Sequence, residues 1–290
     1  MCIRDRVHTG YVKVADGLLI KQEPQLGQGA YGTVYEGLWQ NETCAVKIVN
    51  FLAAHMALKI HAGTPNDKAY QYELKSFNRE CECLQLVDHK NVVKLLKVCE
   101  MSNFPVIVME LLNCNLGRYL SSCGDGIDVS IQLSLSCDVA SGLDYLHKND
   151  ILHRDLCGDN ILLKLCNPIP VAKISDFGTS KLIDEQTRAK SFTKMLLLRE
   201  GYFPPELETN PKSYDFSIDI FMFGVVMVQI IHSVGCIEDV KHRTKFVEEV
   251  PQDHPLKTLI SMCIDDKEKR PKADEVASEI KTVCVHGNEH

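Results

Sequence analysis

The 290-residue chain has no long apolar run, no paired cysteine spacing and no excess of positive charge, and each absence removes a class of function. The longest apolar stretch, Ile220 to Ile231, is 12 residues interrupted only by Gly224 and Gln229, whereas a bilayer span needs about 20. A helix apolar on all sides at that length belongs in a core, so no membrane span is expected. Met1 to Asp16 carries Arg4, Asp5, Arg6 and Lys13 and holds no apolar segment of signal-peptide length. The 13 cysteines are scattered singly apart from Cys81-x-Cys83, without the C-x-x-C spacing of a zinc or redox site. That usage fits a cytoplasmic protein with reduced, mostly buried thiols better than a disulfide-stapled secreted domain. The net charge of −7 argues against nucleic acid as the main partner, because a phosphate backbone selects a basic surface, though a local basic pocket for a nucleotide stays open. There is no internal repeat and no low-complexity tract.

What is present suits a large soluble core. Hydrophobic residues make up 45% and charged residues 24%, enough for one big domain or two lobes. Short strands are expected at Leu18–Leu26, Thr33–Trp39, Cys44–Val49, Val92–Val98 and Val106–Leu111, the first of them at a sheet edge because Pro24 cannot donate to a ladder. Leu74, Phe77, Cys81, Leu84 and Val87 recur at helical spacing within Tyr72–Val87. The second half is mainly helical, with helices expected over Ile131–His147, Asp219–His232, His254–Ile264 and Ala273–Val283, the last opened by Pro271. A strand-rich lobe thus gives way to a helical one near Leu112–Leu116. Asn50–Ala69 reads as an insertion around the turn cluster Gly63-Thr64-Pro65-Asn66-Asp67. Its His55 and His61 lack an acidic or cysteine partner at ligand spacing and read as surface residues.

The chemistry concentrates in His153-Arg154-Asp155-Leu156-Cys157-Gly158-Asp159-Asn160, followed by Asp176-Phe177-Gly178. Asp155 could take a proton from a hydroxyl. Asn160 and Asp176 offer the hard oxygen ligands that Mg²⁺ prefers. The apolar run Ile161-Leu162-Leu163 reads as a strand leaving the loop, and a strand–loop–strand hairpin would bring the three side chains to one edge.

Upstream, Gly27-x-Gly29-x-x-Gly32-x-Val34 joins the first two strands. Glycines let backbone approach phosphate oxygens closely. The rival reading, a dinucleotide fold, needs a helix directly after the glycines. Thr33-Val34-Tyr35 is β-prone instead. Ala45-Val46-Lys47 follows on the third strand, where Lys47 taken alone reads as solvent-facing. Glu73 and Glu82 are rival choices, but Glu80 shares a helix face with Phe77 and Leu84, so it points inward, where an unpaired carboxylate is costly. Lys47 is its natural partner.

In this order and combination, the glycine loop, strand lysine, helix glutamate, His-Arg-Asp loop and Asp-Phe-Gly resemble a eukaryotic protein kinase domain over about residues 18–283. The resemblance implies an α+β, two-lobed fold: a small antiparallel sheet lobe with one main helix (18–112) and a larger, mainly helical lobe (113–283), with 1–17 and 284–290 as short flanks. It implies that Gly27, Gly29 and Gly32 cover the phosphates of ATP and that Lys47 holds the α- and β-phosphates while paired to Glu80. Asp155 would be the catalytic base, and Asn160 and Asp176 would bind Mg²⁺. Val34, Ala45 and Leu162 would sandwich the adenine, with Met109 as gatekeeper and the backbone of Glu110 and Leu112 at the hinge. Glu206, in Pro204-Pro205-Glu206, would pair with Arg270, and Asp219 would hold the catalytic loop. Leu84, Leu95, His153 and Phe177 match the apolar stack linking the lobes. Arg154 implies control by activation-segment phosphorylation, with Ser191 and Thr193 ahead of Thr179, Ser180 and Thr187. Met195–Leu198 is expected to pack on the helical lobe.

The chain departs from the family where the protein acceptor is chosen. Cys157 stands where most serine/threonine kinases carry lysine, and Arg199 where they carry threonine; the residues typical of tyrosine kinases at these places are absent too. Asp159 adds a negative charge beside Asn160. Arg199, from the opposite loop, is the candidate to replace the missing positive charge near the transferring phosphoryl group. Ser175 and Gly142-Leu143-x-Tyr145-Leu146-His147 are similar to the tyrosine kinase-like group, which implies serine or threonine acceptors by analogy. The leading expectation is an ATP-dependent protein kinase with a protein substrate. The rivals are a pseudokinase scaffold, which the presence of every core residue disfavours, and a tyrosine or dual-specificity kinase. Met1–Arg6 has no evident structural role, as in a fragment of a longer protein.

Overall fold

The structure, a computed structural model, describes residues 11–15, 17–28, 32–49, 68–101, 104–182, 200–209 and 215–286. The inserted segment with His55 and His61, Gly29, the candidates Thr187, Ser191 and Thr193, Met195–Leu198 and Arg199 lie outside the described residues. The chain divides into two compact units, one running to Leu86 and resumed over Lys94–Leu111, the other formed by Val87–Val93 and the chain from Leu112 onward.

Among the described residues the first unit is an antiparallel sheet with one helix. Its strands are β1 (Tyr11–Ala15), β2 (Leu18–Gln28), β3 (Thr33–Trp39), β4 (Glu42–Ile48), β5 (Leu95–Met101) and β6 (Phe104–Glu110), in the order β1-β2-β3-β4-β6-β5. Helix α1 is Lys68–Leu86. β3 and β4 meet through the two residues Gln40 and Asn41, both at positive φ (53° and 69°), which is the hairpin turn whose twist matches its strands. Residues Cys44–Ile48 of β4 are all buried, as befits a strand flanked on both edges.

Pro24 misled about the edge. β2 lies between β1 and β3, so the edge strand is β1. However, β1 pairs only with Leu18–Lys21, and Pro24 falls where the β2–β3 register shifts between Ile20 and Gln25. The missing N–H is tolerated locally, inside an interior strand. The strand expected from Val92 begins instead at Leu95. Val92 bridges Ile174 and the Val93 N–H donates to the Ile174 carbonyl at 2.9 Å, so this backbone is used in the second unit.

The second unit holds β7 (Cys114–Asn115), α2 (Leu116–Ser122), α3 (Val129–Lys148), β8 (Ile151–Leu152), β9 (Ile161–Lys164), β10 (Val171–Ile174), β11 (Lys181–Leu182), α4 (Glu206–Thr209), α5 (Ser217–Ile231), α6 (Val240–Glu249), α7 (Lys257–Cys263) and α8 (Ala273–His286). Its centre is α5, buried at every residue from Ile218 to Ile230. Each large apolar side chain placed there contributes about 1.5–3 kcal/mol. Among the described residues no helix is long and apolar enough to cross a membrane. Two small sheets, β10-β9-β7 and β11-β8, carry the loop residues. The described cysteines are free thiols, but fewer are buried than composition suggests: Cys44, Cys81, Cys83, Cys157 and Cys263 are, while Cys166 and Cys236 are exposed. Burial pushes the Cys81 and Cys263 thiols up to about 12.

Candidate active site

Strand register gathers one set of residues on the sheet. Val34 pairs with Lys47, Lys47 with Ile107, and Ala45 with Met109. Cross-strand partners and residues two apart share a face, so Val34, Ala45, Lys47 and Met109 lie on the same side of the sheet. Lys47 Nζ donates to both oxygens of Glu80 on α1, at 2.8 and 2.7 Å. Lys47 is 5% exposed and Glu80 1%, which corrects the reading of Lys47 as a solvent-facing lysine. Two charges taken out of water must compensate one another, and the bidentate geometry does so. A Cβ on Gly32 would lie 2.8 Å from the Ile48 carbonyl oxygen and 3.2 Å from the Lys47 stem, so only glycine lets β3 start so close to the lysine. Gly27 has open space around its Cβ position. At the end of β6 the Glu110 N–H donates to the Lys94 carbonyl at 3.0 Å, so Glu110 can serve a ligand only through its carbonyl. Leu84 is buried and Leu95 half-buried.

In the second unit the acidic loop is built from the backbone outward. Asp219, in the first turn of α5 and 0% exposed, accepts from the N–H groups of His153 and Arg154 at 2.8 Å each and from His147 Nε2 at 2.9 Å. Burial alone would raise the Asp219 pKa, but the His147 hydrogen bond, the two histidine rings and the Arg154 N–H outweigh it and hold the carboxyl below its ordinary range. His153 is fully buried. Its Nε2–H donates to the Ser175 carbonyl at 3.0 Å and its Nδ1 accepts from the Asp155 N–H at 3.3 Å, which fixes a neutral tautomer. Burial, the largest influence, lowers its pKa. The His153 ring meets Phe177 edge-on at 5.3 Å.

That anchoring brings Asp155 and Asn160 together. Asn160 Nδ2 donates to the Asp155 carboxylate at 2.9 Å and to its carbonyl at 2.7 Å. The Asn160 oxygen is therefore the atom that could meet a cation. Asp176 follows Ser175, whose N–H and hydroxyl both donate to the Asn160 carbonyl at 2.8 and 3.0 Å. Asp176 and Arg154 both adopt left-handed φ, 63° and 70°, an arrangement that costs non-glycine residues energy and gathers at functional sites. Leu162 sits on β9, paired with Lys173. Leu112 opens the second unit.

Several neighbours of the loop behave differently from their sequence reading. Cys157 is buried (2%), so this position presents no side chain to solvent. Asp159 is not a bare added charge, because its carboxylate accepts from Asn115 Nδ2 at 3.1 Å and Asn115 in turn caps α2 through the Arg118 N–H. A Cβ on Gly158 would fall 2.4 Å from Gln229 Nε2, and Gln229 also accepts from the Tyr202 hydroxyl at 2.5 Å. The sequence reading missed Asn115, Tyr202 and Gln229; for Gln229 the available signal was a polar residue inside the apolar run Ile220–Ile231. The Thr179 and Ser180 hydroxyls both donate to the His153 carbonyl, Ser180 is fully buried, and Arg154 donates to the Thr179 carbonyl. Neither hydroxyl is placed to receive a phosphate. Glu206 forms a two-pronged pair with Arg270, at 2.6 and 2.8 Å, and the Arg270 guanidinium lies 4.7 Å over the Phe221 ring.

The arrangement matches known proteins along most of its length. The model of the family described as protein tyrosine and serine/threonine kinase matches residues 20–280. In Dictyostelium discoideum, "Probable serine/threonine-protein kinase kinX" is 28% identical, over 89% of this chain and 23% of its own length. The RasGEF domain-containing serine/threonine-protein kinase X of the same organism is also 28% identical, over 90% of this chain and 26% of its own. In Arabidopsis thaliana, Wall-associated receptor kinase-like 10 is 32% identical, over 76% of this chain and 27% of its own length. The chain spans about a quarter of the length of the curated relatives it matches.

Proposed function

Because the chain belongs to the protein tyrosine and serine/threonine kinase family, we propose that it transfers the γ-phosphoryl group of Mg-ATP to a protein hydroxyl, serine or threonine in preference to tyrosine. The observation that carries this reading is the buried Lys47–Glu80 pair. Such a pair is a poor way to stabilise a core, since apolar residues of similar volume do as well or better. Keeping it makes sense where a fixed ammonium is needed for phosphate oxygens.

The division of labour follows from each site. Val34, Ala45, Leu162 and Met109 take the adenine, with the Glu110 carbonyl and the Leu112 backbone on its polar edge. Lys47 and the glycines 27, 29 and 32 take the phosphates. When bound, Mg²⁺ neutralises the charge that builds on the transferring group, and Asn160 and Asp176 have the oxygens to hold it. Asp155, kept in register by Asn160 Nδ2, accepts the hydroxyl proton. The names of the relatives, which print serine/threonine, support that acceptor class. Cytoplasmic location fits 13 cysteines without a disulfide framework.

Arg199 is proposed to supply the positive charge that buried Cys157 does not. Arg199→Ala should then slow the chemical step in single-turnover kinetics; weaker substrate binding with an unchanged step would overturn that role. The function itself is tested by radiolabel transfer from γ-labelled ATP to a protein mixture, with acceptors scored separately. Asp155→Asn should lower the signal by about 10³-fold or more. Equal signal from both forms would show that the chain is not the source.

A further inference from the structure

Two helices of the second unit carry cysteines that the kinase chemistry does not use. Cys137 lies on α3 and Cys284 on α8, and these helices pack along one another. The Cys284 thiol points at the Leu133 carbonyl, 3.9 Å away and one turn before Cys137 on the same face. Helical side chains lean toward the N-terminus, so the Cys137 sulfur is directed over that turn. The Cys284 sulfur thus meets the turn of α3 that carries Cys137, and both residues are half-buried, neither sealed in the core nor fully in solvent.

We propose that Cys137 and Cys284 are a modification site, a dithiol that a low-molecular-weight disulfide such as oxidised glutathione converts into an intramolecular disulfide tying α8 to α3. The exchange balances without other reagents. The Cys137 thiolate attacks one glutathione sulfur, the glutathione S–S bond breaks, and one glutathione leaves as its thiol, taking the proton. The Cys284 sulfur then attacks the mixed disulfide at Cys137, an S–S bond forms between the helices, and the second glutathione leaves with the Cys284 proton. Two protein thiols are oxidised by two electrons and one glutathione disulfide is reduced to two thiols.

The surroundings decide which sulfur attacks. Burial raises both thiols, Cys284 to about 11. At Cys137 the Asp138 carboxylate adds to the burial while Lys281 and Lys90 oppose both, and only Cys284 is pushed as far as about 11, so Cys137 is the better placed thiolate. The exchange is therefore slow to start, and its outcome is set by equilibrium: a thiol held on the neighbouring helix at the same turn resolves the mixed disulfide far more readily than a second glutathione can.

The test is a series of glutathione redox buffers applied to the full chain, followed by alkylation and peptide mapping. The expected result is a peptide pair linked through Cys137 and Cys284, reversible by dithiothreitol, at ratios where exposed Cys166 carries only mixed glutathione. The bridge closes a loop of roughly 150 residues, so the linked form should melt about 5–10 °C higher, and Cys137→Ser and Cys284→Ser should each abolish that rise. Glutathionylated Cys166 beside unlinked Cys137 and Cys284, or linkage of either to another cysteine, would overturn the proposal, as would a linked form that melts no higher. None of these readouts depends on phosphoryl transfer.

Discussion

The sheet unit and the helical unit each hold a buried carboxylate, and they spend it differently. Glu80 is matched to another side chain, the ammonium of Lys47, at 2.8 and 2.7 Å. Asp219 is matched chiefly to backbone, the N–H groups of His153 and Arg154, with the His147 ring as third donor. A side-chain partner can be exchanged together with its carboxylate, but a backbone N–H stays whatever side chain is substituted, proline apart. The first arrangement positions one functional group. The second positions a stretch of chain, and Asp155 is carried on it.

The largest effect should come from breaking the backbone anchor. Asp219→Ala leaves three buried donors without an acceptor and should cost about 4 kcal/mol in urea unfolding, with phosphoryl transfer lost. A cost under about 1 kcal/mol would show that the loop is held by something else. Next comes the side-chain pair. Lys47→Met and Glu80→Leu should each cost about 3 kcal/mol, because each strands a buried charge, while the double variant should recover at least half of that loss and stay inactive. If the double variant were as unstable as the sum of the singles, the pair would not be exchangeable and the contrast between the units would fail.

The smallest effect is one of pH. Burial holds His153 below its ordinary value of 6.5, so below about 6.5 the unfolded chain takes up a proton that the folded chain does not. Stability should be complete above that pH and fall as the medium is acidified, by up to about 1.4 kcal/mol per pH unit. Asp219, whose folded pKa is lowered, contributes in the same direction only below its ordinary 3.8. Unfolding midpoints at pH 7.5, 6.5 and 5.5 should show a slope in the parent chain that His153→Gln flattens; an unchanged slope would exclude the buried imidazole as its source.

Legibility followed the range of the interaction. Glu80 could be turned inward from its spacing to Phe77 and Leu84, because helix periodicity is local, and the Lys47 partnership followed from the cost of leaving that carboxylate unpaired. The Asp155–Asn160 contact was also within one loop. Asp219 and the Glu206–Arg270 pair were readable only through the kinase resemblance, since nothing near position 219 says that it meets residue 153. Gln229 against Gly158, and Asn115 against Asp159, join segments with no shared sequence signal. α6 carries only Val240, Phe246 and Val247 as apolar residues and buries none of them, too few to mark a helix by their recurrence. Its cap was the better sign: Asp239 accepts from the His242 N–H at 2.8 Å. Pro24 shows the limit of a sound rule applied to a whole strand, for the missing donor mattered only at its own rung.

The buried helix α5 sets the grain of the second unit's fluctuations. A segment with no face for water cannot open by itself, because each turn that loosened would expose apolar surface on every side at once. Its amide hydrogens can meet solvent only when the surrounding elements have already parted, so they report the collapse of the entire unit. α6, with none of its residues buried, can fray and re-form turn by turn while everything around α5 stays shut.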